Sequence, residues 1–172
     1  MSEAVSDSTV LIFLAKLKRL DTLSNIYRKI VIPEKVREEV VDEGKKRGEK
    51  DAHLVERKIE KGLIEVKETG VDEEVQEFNL GSGEAEALSL AKRLDDDLLA
   101  DDESAREAAR ILEIKARGSL YFLAEALRSC DLNFDEYLES LEKLTEEGFY
   151  MDEAVYMEAV RRGRKIAKKK SD

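Results

Sequence analysis

The sequence predicts an α/β fold, a central parallel sheet of about 4–5 strands flanked by helices and followed by a C-terminal helical hairpin. Three observations carry that expectation. Short β-branched or leucine runs alternate with helical stretches of about 10–15 residues, the spacing of right-handed strand–helix–strand crossovers. Apolar residues recur at helix and strand periods, so the bulk of the chain should fold. Finally, 172 residues with 42% hydrophobic and 41% charged side chains can bury one core beneath a densely charged surface.

The elements follow in order. Ala4 to Ser6 forms a short opening strand and Thr9 to Leu17 a helix. Ile30-Val31-Ile32 is a β-branched run halted by Pro33, which suits the first turn of the next helix, Glu34 to Val41. From Lys45 to Lys61 the apolar anchors are Leu54, Val55 and Ile59, the mark of a surface helix, and Leu63 to Val66 is a short strand. Gly81-Ser82-Gly83 breaks the chain before an alanine-rich helix, Glu84 to Leu94. Asp97 to Ala100 reads as a buried strand, and Asp102 to Leu112 as a helix with Ala105, Ala108, Ala109 and Leu112 on one face. Ile114 to Ala116 is the last strand, and Gly118 opens another helix. Phe134 to Glu146 and Met151 to Ile166 form the terminal pair, hinged at Gly148. The expected organisation is an α/β domain over residues 1–130 and a helical extension over 131–172, packed on the same domain and ending in a basic tail.

Composition removes several classes of function. Cys130 and His53 are each the only one of their kind, which leaves no intrachain disulfide and no zinc-ligand spacing, and argues against a Ser-His-Asp or Cys-His mechanism. No charged-then-apolar leader opens the chain, and no apolar run reaches the roughly 18–20 residues of a membrane helix. The expectation is a cytoplasmic protein with no membrane partner. A net charge of −10 argues against nonspecific binding to phosphate backbones. Arg161, Arg162, Arg164, Lys165, Lys168, Lys169 and Lys170 form a basic block, read as a solvated helix end whose cations complement the helix dipole. Gly81-x-Gly83 lacks the third glycine of a dinucleotide fingerprint, since Glu86 occupies that place, and no phosphate loop is present. DDDLLADDESAR lacks the central glycine and closing Glu of an EF-hand.

What remains is a set of acids at predicted strand ends, where parallel sheets place their ligands. Asp7 follows the first strand, Asp101 and Asp102 follow the buried strand, Glu84 opens the helix after the glycine break, and Glu38 and Glu39 lie one to two turns beyond Pro33. Converging carboxylates repel one another, so divalent cations should neutralise them. Oxygen-only ligands suit Mg²⁺ or Mn²⁺, ions that activate water and stabilise the leaving oxygen of a phosphodiester. Each acid also has a plainer reading. Asp7 and Asp102 can cap helices, Glu84 can favour a helix dipole, and Glu38 and Glu39 can be surface charges. A capping box starting at Ser82 would need its acid at position 85, where Ala85 stands.

Taken together, these segments resemble the PIN-domain family, specifically its VapC-like toxin ribonucleases. Val5-Ser6-Asp7-Ser8-Thr9-Val10-Leu11-Ile12 looks like the family's opening strand, acid and helix, and IVIPEKVREEV, residues 30–40, is similar to its second strand and helix. LGSGEAEAL, residues 80–88, resembles a subgroup in which Glu replaces Asp at the third acidic position, and LLADDESAR, residues 98–106, looks like the fourth strand and its acid. Gly118-Ser119-Leu120 and Glu147-Gly148-Phe149-Tyr150-Met151 extend the likeness to nearly the whole chain. Ala100 departs from the Thr or Ser common two residues before the last acid.

The resemblance implies a three-layer PIN-like fold and a Mg²⁺- or Mn²⁺-dependent endoribonuclease cutting single-stranded RNA. It also implies a cognate antitoxin protein and a homodimer. It carries catalytic roles to Asp7, Glu39, Glu84 and Asp102, and metal ligation to Asp7, Glu84, Asp102 and Asp101, with Glu38 adjacent to Glu39. The rival reading is a PIN-fold module that binds RNA or protein without cutting.

Overall fold

Strands covered by helices on both sides are buried along their length, and the first two in the chain are so here, although only the second reads as an apolar run. In the computed structural model, which describes residues 1–171, β1 (Glu3–Ser6) buries Ala4, Val5 and Ser6, and β2 (Lys29–Pro33) buries Ile30 through Pro33. With β3 (Ile64–Lys67), β4 (Asp97–Leu99) and β5 (Ala116–Arg117) they form one parallel sheet of order β3-β2-β1-β4-β5. Val5 sits beside Val31 on one side and Leu98 on the other. The sheet and its helical flanks match the three-layer expectation.

Between these strands lie α1 (Ser8–Lys16), α2 (Asp21–Ile26) and, after β2, one continuous helical stretch. That stretch begins as α3 (Glu34–Arg37), widens into a π turn over Glu38–Asp42 and ends as α4 (Glu43–Lys46). Next come α5 (Lys50–Glu60), α6 (Glu73–Gln76), α7 (Ser82–Leu94) and α8 (Glu103–Ile111). The core joins Val5, Val31 and Leu98 of the sheet to Leu88 and Ala91 of α7 and Ala105, Ala108 and Ala109 of α8.

Backbone packing divides the chain into two compact units, Met1–Gly118 and Ser119–Asp172. The second contains α9 (Ser119–Arg128), α10 (Phe134–Glu146) and α11 (Glu153–Ser171). Inside it, α10 and α11 close on a pair of side chains of opposite size. An atom added at Gly163 would stand 2.3 Å from the buried Tyr137 ring. The Tyr137 hydroxyl donates to the Ala159 carbonyl at 2.7 Å, and burial pushes its pKa up to about 12. Among the described residues no helix is long and apolar enough to cross a membrane.

Departures from the expected elements have local causes. The last strand starts at Ala116, because the Ile114 N–H donates to the Ala109 carbonyl at 2.8 Å and still belongs to the end of α8. Leu63 does the same for α5, donating to Lys58 at 3.0 Å, so β3 starts at Ile64. The final helix starts at Glu153 after Asp152 accepts from the Val155 N–H, and it continues to Ser171 with no breaker in its way. The helix after Pro33 continues to Lys46 instead of stopping at Val41. The helices α2 and α6 span 6 and 4 residues, too short for a periodic signal.

Candidate active site

The sheet order puts its topological switch point between β1 and β4. From β1 the strands step outward to β2 and β3, then resume on the other side with β4 and β5. Open parallel sheets bind ligands outside the carboxyl ends of strands at such a point. Asp7 leaves β1 there, its N–H donating to the Leu99 carbonyl at 2.9 Å and extending the pairing past the strand. On the neighbouring side β4 runs into Ala100, Asp101 and Asp102, with the Ala100 N–H donating to Arg117 at 3.0 Å.

Asp7 is 1% exposed. Its carboxylate caps α1, accepting from the Val10 N–H at 3.3 Å and from the Thr9 hydroxyl at 3.0 and 3.1 Å. Burial, and then the charge of Asp101, overcome those hydrogen bonds and push its pKa up to about 8, with Glu84 adding to the rise. Burial therefore favours the protonated form of the Asp7 carboxyl in the folded chain.

Glu84 stands at the third position of α7, whose cap is Gly81, one residue earlier than the Ser82 start considered from sequence. Its Oε2 accepts from the Gly81 N–H at 3.1 Å, half of a capping box whose other half a glycine cannot supply. Burial raises the Glu84 pKa; the Gly81 bond opposes this, and the charges of Asp102 and Glu39 add to it. Asp102 caps α8, with Oδ2 accepting from the Ala105 N–H at 2.9 Å.

Glu39 arrives by a different route. It lies in the π turn, a local widening often found at functional sites. Its Oε2 accepts a short hydrogen bond from the Ser8 hydroxyl. Its carboxylate also lies against Gly83, where an added Cβ would fall 2.8 Å from Oε1. Glu38 instead approaches Lys35 at 3.9 Å on a half-exposed flank. A second glycine makes room for the remaining acid: a Cβ on Gly118 would meet Asp101 Oδ1 and an Arg106 guanidinium nitrogen, each at 2.7 Å.

Asp7, Glu39, Glu84, Asp101 and Asp102 are thus linked electrostatically at one rim, whereas Glu38 turns toward Lys35. Ser8, Thr9, Gly83 and Gly118 were missed as contributors. The sequence signal for the first two was the Asp-Ser-Thr order itself; nothing local marked Gly83 as the residue that admits Glu39. The acids use Oε2 of Glu39, Oε2 of Glu84 and Oδ2 of Asp102 for protein hydrogen bonds, leaving the second oxygen of each without a protein partner among the described residues. This hard, all-oxygen donor set fits a divalent cation such as Mg²⁺ or Mn²⁺. As the side chains stand, no group of three or more His, Cys, Asp or Glu among the described residues is drawn close enough to hold one.

Against known proteins, the family model DUF3368, described as a PIN domain, matches residues 3–165. The chain is also similar to a PilT N-terminus domain protein from the hyperthermophilic archaeon Sulfolobus solfataricus P2, with 23% identity and a TM-score of 0.47. That similarity covers 73% of this chain and 93% of the other. The curated proteins contain no match.

Proposed function

The chain belongs to the PIN-domain family, and from that premise we propose that it is a metal-dependent endoribonuclease cutting single-stranded RNA, the toxin of a VapC-type pair with a cognate antitoxin protein. PIN domains are generally nucleases that use a divalent metal, and this supports a nuclease-type hydrolase at a coarse level. The observation that carries the reading to this chain is the buried Asp7 at the switch point, its pKa raised by burial and by Asp101.

In this reading Asp7, Glu84, Asp102 and Asp101 would hold Mg²⁺ or Mn²⁺. The bound cation supplies Lewis-acid polarisation of the scissile phosphate and acidification of the attacking water. The chain's own residues do the positioning. Thr9 and the Val10 N–H orient the Asp7 carboxylate. Ser8 steadies Glu39, whose other oxygen is available to complete the ion's shell or to orient water. Glu84 and Asp102 are anchored through one oxygen each on helix N-termini, which would leave the second oxygen of each for the ion.

The test is incubation of purified protein with a panel of single-stranded RNAs in Mg²⁺, in Mn²⁺ and in EDTA, beside the Asp7→Asn variant. Cleavage that requires metal and disappears in the folded variant supports the reading. Intact RNA in every condition moves the non-cutting module ahead, and cleavage by folded Asp7→Asn removes the site assignment.

A further inference from the structure

The second unit carries a charge arrangement that the acidic rim does not explain. The chain has a net charge of −10, yet α11 has no acid after Glu158 while carrying seven lysines and arginines. A helix dipole favours cations only within the last turn. Arg161, Arg162 and Lys165 lie well before that turn of a helix ending at Ser171. Arg161, Lys165 and Lys169 follow one another at four-residue intervals, which sets them along one stripe about 12 Å long. Like charges in that register destabilise a helix by about 0.2–0.5 kcal/mol per pair. The sequence therefore keeps an arrangement that weakens the isolated helix.

Together with Arg128 from the end of α9, these side chains line a groove of about 670 Å³. Several of its cations are already engaged: Arg128 pairs with Glu125, Arg161 with Glu158 at 3.1 Å, and Lys170 donates to Cys130 Sγ at 2.7 Å. Arg162, Lys165 and Lys169 are exposed and have no ion-pair partner among the described residues. Three unpaired cations on one face, two of them on a single stripe, match a flexible chain of phosphates better than a single anion.

We propose that the α11 groove binds the phosphate backbone of single-stranded RNA through Arg162, Lys165 and Lys169. The choice of RNA as the polyanion rests on the nuclease reading above. The groove then supplies the nonspecific affinity for substrate that a chain of net negative charge otherwise lacks.

The experiment measures binding of a labelled single-stranded RNA about 12 nucleotides long to the full chain in EDTA, across a salt titration. The same proteins are assayed for cleavage in Mg²⁺ and Mn²⁺. The variant R162Q/K165Q/K169Q should bind at least about tenfold more weakly, and its log–log salt slope should be shallower by about 2. The exchanged variant R162K/K165R/K169R should keep both affinity and slope. Unchanged affinity and slope in the Gln variant overturn the proposal, as does equal weakening in both variants or preference for polyglutamate over RNA. RNA binding that depends on the three cations, without cleavage by any protein, removes the nuclease reading and leaves the groove standing. Cleavage with unaltered RNA affinity in the Gln variant does the reverse.

Discussion

Two regions of this molecule hold like charges at close quarters, and they handle the repulsion in opposite ways. At the rim of the sheet the acids are partly or fully buried, and Asp7 answers by taking up a proton, its pKa rising to about 8. On α11 the cations stay exposed in water, where screening makes repulsion small and no proton has to move. A buried like-charged cluster stores free energy that a counter-ion can release, whereas an exposed one supplies a field that polyanions can sense. Like charges therefore point to a small hard cation in the first region and to a long flexible anion in the second.

The sharpest way to break the comparison is Asp7→Asn. RNA cleavage should fall below detection while the fold survives, because Asn still caps α1. Stability gives an independent readout. The Asp7 pKa rises from 3.8 to about 8 on folding, so between those values the folded chain holds a proton that the unfolded chain releases. Stability of the parent therefore falls as pH rises through that window. The variant should be more stable than the parent at pH 7.5 in EDTA, by about 2–4 kcal/mol, and the difference should close near pH 3.5. Chemical denaturation at both pH values checks this; an equal gap at both would mean that Asp7 is an ordinary carboxylate.

Gly163→Ala probes the second region. The new methyl would press on the buried Tyr137 ring, which has little room to move, and should cost about 1–3 kcal/mol. A thermal melt reads the loss, and an unchanged melting temperature would show that α10 and α11 are loosely packed. Gly83→Ala is the instructive contrast. Here the methyl meets the end of the flexible Glu39 side chain, so stability should change by less than about 1 kcal/mol, while cleavage should drop at least tenfold as Glu39 is displaced. Equal activity would remove Glu39 from the site.

Ser8→Ala sharpens the point at smaller scale. It deletes the donor to Glu39 and should cost about 1 kcal/mol in stability, with a partial loss of cleavage that Ser8→Thr restores. The smallest effect belongs to Arg161→Gln, an exposed pair with Glu158, which should shift stability by less than about 0.5 kcal/mol. A larger loss would mean that α11 charges are not simply solvated.

The strand–helix alternation was legible because buried parallel strands must be apolar throughout, as Ile30 to Ile32 are, and because Pro33 and Gly118 punctuate it. Asp7, Glu84, Asp101 and Asp102 were legible because each follows a strand end or lies in the first turn of a helix, whereas Glu39 was one of two adjacent acids in the helix beyond Pro33. The short helices α2 and α6 and the starts of β3 and β5 were not, since helix-closing hydrogen bonds at Leu63 and Ile114 consume residues that look like strand. Nor was Gly81 as the cap that engages Glu84, because a glycine carries no side-chain capping signal.

By itself, then, the sequence determined the α/β class, the order of the strands and which acids follow them, for these depend on local periodicity and on which residues can ionise. Tertiary structure decided the rest. A π turn and the bare α-carbon of Gly83 set Glu39, and not Glu38, against Ser8. The meeting of β1 with β4 buries Asp7 beside Asp101. Such choices depend on contacts between residues as far apart in the chain as Ser8 and Glu39 or Asp7 and Asp101, whose distances no local pattern encodes.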